Sequence, residues 1–153
     1  MAQGKYALPA FLVGRCTAGV YRRWLQRRAA AHRKRDRVRG NLGATISAYK
    51  EAIHTAVLRG GERDAYTGER LRWDLISTYD NHASEREGRH YKKGFALLPS
   101  VDHVGDGLGV PHFRMCAWRT NDAKGDLSYS EFIGLCRKVL GHSRKIRRPT
   151  GER

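Results

Sequence analysis

Negative charge is what this sequence is short of: 15 Asp and Glu stand against 30 Lys and Arg, a formal net charge of +15. That balance disfavours acid-rich surfaces of its own and points outward, to a polyanionic partner. Cysteine is scarce too. Cys16, Cys116 and Cys136 are far apart, odd in number and never in a C-x-x-C pair, so neither a disulfide framework nor a thiolate zinc site is expected. They read as small buried hydrophobes. No apolar run approaches the ~20 residues that span a bilayer, and the N-terminus lacks the basic start, apolar stretch and small-residue cleavage site of a signal peptide. Cytosol is therefore the expected compartment, with no membrane partner. Internal repeats and low-complexity tracts are missing as well.

What remains is ordinary in its proportions. The chain of 153 residues is 40% hydrophobic with a mean hydropathy of −0.66, enough for one modest core with appendages. The positive charge is placed unevenly: residues 1–60 hold 13 basic and 2 acidic side chains, residues 61–153 hold 17 and 13. From Thr17 to Arg39 there is no proline, and Tyr21, Trp24, Leu25 and Ala29 recur at helical spacing while cations fill the other faces. This predicts a long basic helix. Nine Lys/Arg and a single Asp lie between Arg22 and Arg39. A solvated charged face is the bland account, but cations this dense repel one another unless phosphates neutralise them. Arg22, Arg23, Arg27, Arg28, Arg33, Lys34, Arg35 and Arg37 are therefore candidate nucleic-acid contacts. Gly40-Asn-Leu-Gly43 should break the helix. Ile46, Tyr49, Ile53 and Val57 mark a second one, ended by Gly60-Gly61, in which His54 reads as a packing histidine.

Further along, Asp64 to Trp73 reads as a tight turn at Gly68 between short strands, anchored by Trp73, Leu75 and Ile76. The polar stretch Tyr79 to Gly94 shows no period and is expected to be a long loop, with His82 and His90 solvated. Phe95 to Val104 suits a strand. Gly105-Asp-Gly-Leu-Gly109 must be a loop, since three glycines in five residues would waste backbone entropy in a regular element. It lacks the Lys and Ser/Thr of a phosphate-binding P-loop. Phe113 to Trp118 gives a second strand. Ser128-Tyr-Ser-Glu131 is a capping box opening a helix whose Phe132, Ile133, Cys136, Val139 and Leu140 are expected to face a core. The end, Arg144-Lys-Ile-Arg-Arg-Pro149, looks like a disordered basic tail. The fold class is thus α+β, with a basic helical extension over 1–60, a mixed domain over 61–141 and a tail over 142–153.

The chemistry concentrates at Asp102-His103, followed eighteen residues on by Asn121 in Asn121-Asp-Ala-Lys-Gly-Asp126. A carboxylate, an imidazole and an amide beside a lysine can hold a divalent cation and activate water, which suits phosphodiester hydrolysis. A zinc nucleobase deaminase is excluded, because neither H-x-E nor P-C-x-x-C is present. A bare Asp-His is a weak signal. The assembly is stronger: strand-terminal Asp-His, glycine-rich loop, returning strand, then Asn-x-x-Lys before a capped helix. From Asp64 to Leu140 it resembles the HNH endonucleases, a branch of the ββα-metal or His-Me finger superfamily, most specifically from Val101 to Lys124.

That resemblance implies a ββα-metal core and roles for matching residues. His103 would be the general base, and Asp102 and Asn121 would hold one Mg²⁺ or Mn²⁺ through oxygen. Lys124 would bring positive charge to the phosphate, with Arg119 assisting. The family's middle Asn, nine residues before the last one, is His112 here, and this residue either pins the loop as the Asn does or joins the metal shell. Many HNH domains also carry a structural zinc between two C-x-x-C knuckles. The corresponding positions are Asp64, Thr67, Ala117 and Thr120, none a thiolate, so a zinc-free variant is expected in which Trp73 and Trp118 brace the motif instead. The expected function is a metal-dependent endonuclease acting on nucleic acid, with double-stranded DNA the first choice. The alternative is a protein that keeps the fold and binds nucleic acid without cleaving it. A basic coat protein would explain the charge alone.

Overall fold

A computed structural model describes residues 4–146. The long basic helix α1 runs Ala18–Val38, and α2 runs Ile46–Gly60. Each begins where a threonine side chain satisfies an orphan amide: Thr17 accepts from the Val20 N–H and Thr45 from the Ala48 N–H, both at 3.2 Å. Gly61, at φ +59°, ends α2 as its sequence suggested. The two helices pack on one another, and α2 also packs on the sheet. The approach is close, since a Cβ at Gly60, the last residue of α2, would stand 3.2 Å from Met115 Cβ.

The sheet has two strands, β1 (Pro99–His103) and β2 (Phe113–Ala117), antiparallel with His103 opposite Phe113 and Asp102 opposite Arg114. Successive side chains point to opposite faces. Val101, Phe113 and Met115 therefore join Tyr21, Trp24, Leu25, Tyr49, Ile53 and Val57 in the core. Asp102 and Arg114 lie on the other face. Helix α5 (Trp118–Lys124) follows β2 directly, and the class is α+β.

Several expectations need correction. The stretch 79–94 is two short helices, α3 (Asn81–Glu87) and α4 (Arg89–Gly94). Asp80 caps α3 by accepting from His82 and Ala83 amides, Gly88 at φ +56° separates the pair, and Tyr79, Tyr91 and Phe95 cluster behind them. No apolar period marked these helices, because α3 buries only Ala83 and α4 no side chain at all. The expected hairpin at 64–73 has no strands, just a single bridge between Arg63 and Arg70, and Trp73–Leu75 forms a 3₁₀ turn. Of the cysteines, Cys116 is buried, Cys16 half-buried and Cys136 exposed.

The chain forms two compact units, divided between Ala123 and Lys124. The boundary expected between residues 60 and 61 falls inside the first, where α2 meets the sheet. The second contains α6, Tyr129–Ile146. Its capping box is reciprocal: Ser128 N–H donates to Glu131 Oε2 at 2.8 Å and Glu131 N–H to Ser128 Oγ at 3.3 Å. These bonds also hold the Glu131 carboxyl below its ordinary range. None of the α6 side chains is buried, so the core expected for Phe132, Ile133, Cys136, Val139 and Leu140 is not formed. His142 to Ile146, placed in a disordered tail by sequence, are helical; 147–153 lie outside the described residues.

Candidate active site

His103 ends β1 on the face turned toward the helices. Its Nε2 stands 2.8 Å from Asp36 Oδ2, and Asp36 comes from the last turn of α1. The same carboxylate oxygen accepts a short hydrogen bond from the Tyr49 hydroxyl of α2. With Asp36 1% exposed and the His103 side chain 14% exposed, this carboxylate–imidazole pair is screened little by water. Arg39, one turn on, reaches Asp36 Oδ1 at 3.6 Å from the surface. Burial raises the Tyr49 hydroxyl pKa, and its bond to Asp36 raises it further, so the phenol stays a donor. The His103 ring meets Phe113 edge-on at 5.1 Å and lies 6.1 Å from the His32 ring. Burial drives His32 down to about 3, with nearby Arg35 adding to the effect, so His32 is neutral. The second nitrogen of His103, Nδ1, is buried and has no hydrogen-bond partner.

The glycine loop that follows β1 closes over this pair. Gly107, at φ +80°, passes so near that a Cβ there would stand 2.5 Å from Asp36 Oδ1. Only glycine fits. Asn41, just beyond α1, donates from Nδ2 to the carbonyls of Gly107 at 2.9 Å and Gly109 at 3.2 Å. The loop is therefore pinned by Asn41. His112, the residue expected to pin it or bind metal, has an exposed side chain and accepts through its backbone carbonyl from the Val104 N–H at 2.9 Å.

Asp102 points the other way. It is 4% exposed and accepts a short hydrogen bond from the Tyr66 hydroxyl, to which Arg114 donates at 3.3 Å. Burial raises the Tyr66 pKa, and the bond to Asp102 adds to the rise. Asn121 sits half-buried on α5. Lys124, the last residue of α5, is 7% exposed. Arg119 is exposed and paired with Glu69. The two proposed metal donors are a carboxylate and an amide, hard oxygens of the kind Mg²⁺ accepts while keeping several waters. Among the described residues, no group of three or more His, Cys, Asp or Glu gathers to hold an ion.

Asp64 explains how the turn at 64–73 is held without metal or strands. Its Oδ1 accepts from the amides of Tyr66 at 2.7 Å and Thr67 at 3.0 Å. Its Oδ2 accepts from the Ala117 amide and the Thr120 hydroxyl, each at 2.7 Å. Burial alone would raise this carboxyl, but the four bonds outweigh it and hold it below the ordinary carboxylate range. The four positions aligned with zinc-knuckle ligands thus meet at one carboxylate. Trp73 and Trp118, expected to brace the motif, pack elsewhere: Trp73 against Trp24 at 5.1 Å, Trp118 against Tyr79 at 5.6 Å. Apolar stacking could not have joined these four polar positions.

On α1, Arg22, Arg23, Arg27, Lys34, Arg35 and Arg37 are exposed, and Arg28 and Arg33 half-buried. Burial lowers the Arg28 pKa, and Arg27 and Arg35 push the same way. Arg33 donates to the Ala44 carbonyl at 3.0 Å, and Arg27 to Ser77 Oγ at 2.6 Å. His54 is a packing residue as expected, its Nδ1 2.7 Å from the Tyr21 hydroxyl. The sequence reading missed Asp36, Asn41 and Tyr49. A signal for Asp36 existed: the buried stripe Tyr21, Trp24, Leu25, Ala29 continues at helical spacing through His32 to Asp36. No helix among the described residues is long and apolar enough to cross a membrane. No family model, curated protein or solved structure matches the chain.

Proposed function

We propose that this chain is a metal-dependent endonuclease of the HNH type that hydrolyses phosphodiester bonds, with double-stranded DNA as substrate. The observation that carries the reading is the state of His103: one ring nitrogen held by a buried carboxylate, the other buried with no partner. An imidazole held through one nitrogen by a carboxylate keeps the lone pair of the other for a proton, as a general base requires. The order β1, glycine loop, β2, α5 and the meeting of positions 64, 67, 117 and 120 at one carboxylate support the HNH frame around it.

In this reading His103 Nδ1 takes a proton from water as the water oxygen bonds to phosphorus and the bond to the 3′ oxygen breaks. Asp102 and Asn121 would hold the divalent ion, which when bound supplies positive charge to the crowded phosphate. Arg119 and Lys124, on the same helix as Asn121, would add to that field. The exposed cations of α1 would track the backbone of the duplex. The test is plasmid nicking with Mg²⁺ or Mn²⁺: relaxation with either ion and none in excess chelator supports the reading.

A binding-only protein is the second reading. It draws on the burial of Asp102 beneath Tyr66, which would keep metal from the carboxylate unless the tyrosine moves. Retarded DNA migration with no cleavage under any ion would select it.

A further inference from the structure

We propose that Asp36, on the inner face of the basic helix α1, is the positioning residue for His103: it fixes the imidazole as the Nε2–H tautomer and leaves Nδ1 for the proton. The proposal rests on the nuclease reading for its consequence, but not for its geometry. A buried carboxylate is costly unless its oxygens find donors. Asp36 Oδ2 has two, the Tyr49 hydroxyl and His103 Nε2. A carboxylate only accepts, so the Nε2 facing it must carry hydrogen. In the neutral ring Nδ1 then holds the lone pair. The burial of both groups keeps this bond from competing with water.

The pairing does more than fill a hole in the core. Gly107 lies directly over Asp36, and Asn41 ties the carbonyls of Gly107 and Gly109. The segment from Asp36 to Asn41 therefore holds both the base and the loop that leads away from it. Its first residue belongs to the helix whose exposed side chains include Arg22, Arg23, Arg27, Lys34, Arg35 and Arg37. If these cations hold nucleic acid as proposed, one helix carries both the docking charge and the carboxylate behind His103, and docking is linked to catalytic geometry. The basic arm is then part of the active site.

The experiment uses the full chain, labelled with ¹⁵N, and reads the His103 ring nitrogens above the imidazole titration, with His103→Ala identifying the signal. The expected result is the Nε2–H tautomer in the wild type and a mixture of tautomers in Asp36→Asn, which keeps the shape and removes the charge. In cleavage assays Asp36→Asn should lower kcat roughly 10- to 100-fold, the range for residues that orient a catalytic ligand, with KM within about twofold. Wild-type His103 found with its proton on Nδ1 would overturn the proposal whatever the variants do. So would a folded Asp36→Asn with unchanged tautomer and unchanged kcat, or one whose activity falls only in proportion to its folded fraction. If the wild type cleaves nothing, the nuclease reading fails by itself, while the tautomer comparison still decides what Asp36 does.

Discussion

His32 and Asp64 both make the fold less stable in acid, over pH ranges that can be told apart. His32 is buried and lowered to about 3 in the folded protein, while its unfolded value is near 6.5. Below the unfolded value the unfolded chain binds a proton that the native state refuses, so stability falls as pH drops from about 6.5 toward 3, by at most about 1.4 kcal/mol per pH unit. His32→Leu should flatten the thermal midpoint between pH 6 and 4; an unchanged slope there would place the acid sensitivity in another group. Asp64 acts at lower pH. Its carboxyl is depressed by four hydrogen bonds that outweigh burial, so its contribution is present above its ordinary range and lost only in stronger acid. Asp64→Asn puts an NH₂ group among donors and should cost about 3 kcal/mol or more, seen in denaturant melts at neutral pH. A cost under 1 kcal/mol would mean that the turn is held by other contacts. Because this carboxylate stands where the resemblance puts thiolates, purified protein should hold well under one equivalent of zinc, and chelation should leave the thermal midpoint nearly unmoved. Zinc retained through dialysis would contradict that.

At the scale of elements, α1 shows what periodicity reveals and what it hides. Its apolar stripe and its cations were legible in the sequence, because both follow from spacing along one helix. Its role toward His103 was not, since the pair Asp36 and His103 is 67 residues apart and forms only when α1 and β1 meet. The same limit explains Asn41, whose partners are 66 and 68 residues away. Local chemistry was readable: the capping box at Ser128, the strand-terminal His103 and the break at Gly60-Gly61 all stand. The short helices α3 and α4 were not, for a helix of seven residues or fewer rests on its cap and a few rings more than on a period. The arm itself can be tested by charge. Replacing Arg22, Arg23, Arg35 and Arg37 with glutamine should flatten the slope of log affinity against log salt by roughly three to four units, each phosphate contact contributing about 0.9 on duplex DNA. An unchanged slope would move the interface off α1.

For the whole molecule, the proposed reading rests on two features, a net charge of +15 and the neighbourhood of His103. The first is read directly from composition. The second was half visible, as Asp102, His103 and Asn121 in order; helical spacing could mark Asp36 as facing inward, but not that its carboxylate would meet His103 or that Asn41 would pin the glycine loop. In the proposed reading the helix that gathers positive charge also borders the site, so substitutions of His103 or Asp36 should lower hydrolysis while the exposed cations of α1 keep their contribution to binding. His103→Ala is the simplest of these changes, since it would remove the base and no arm cation. The most direct test compares single-turnover cleavage of a DNA duplex by wild type and His103→Ala at saturating Mg²⁺, with affinity measured in parallel. The account predicts a rate lower by about 10² or more, the range for loss of a general base, with affinity within a few fold. Equal rates in the two proteins, or no metal-dependent cleavage by the wild type, would contradict it.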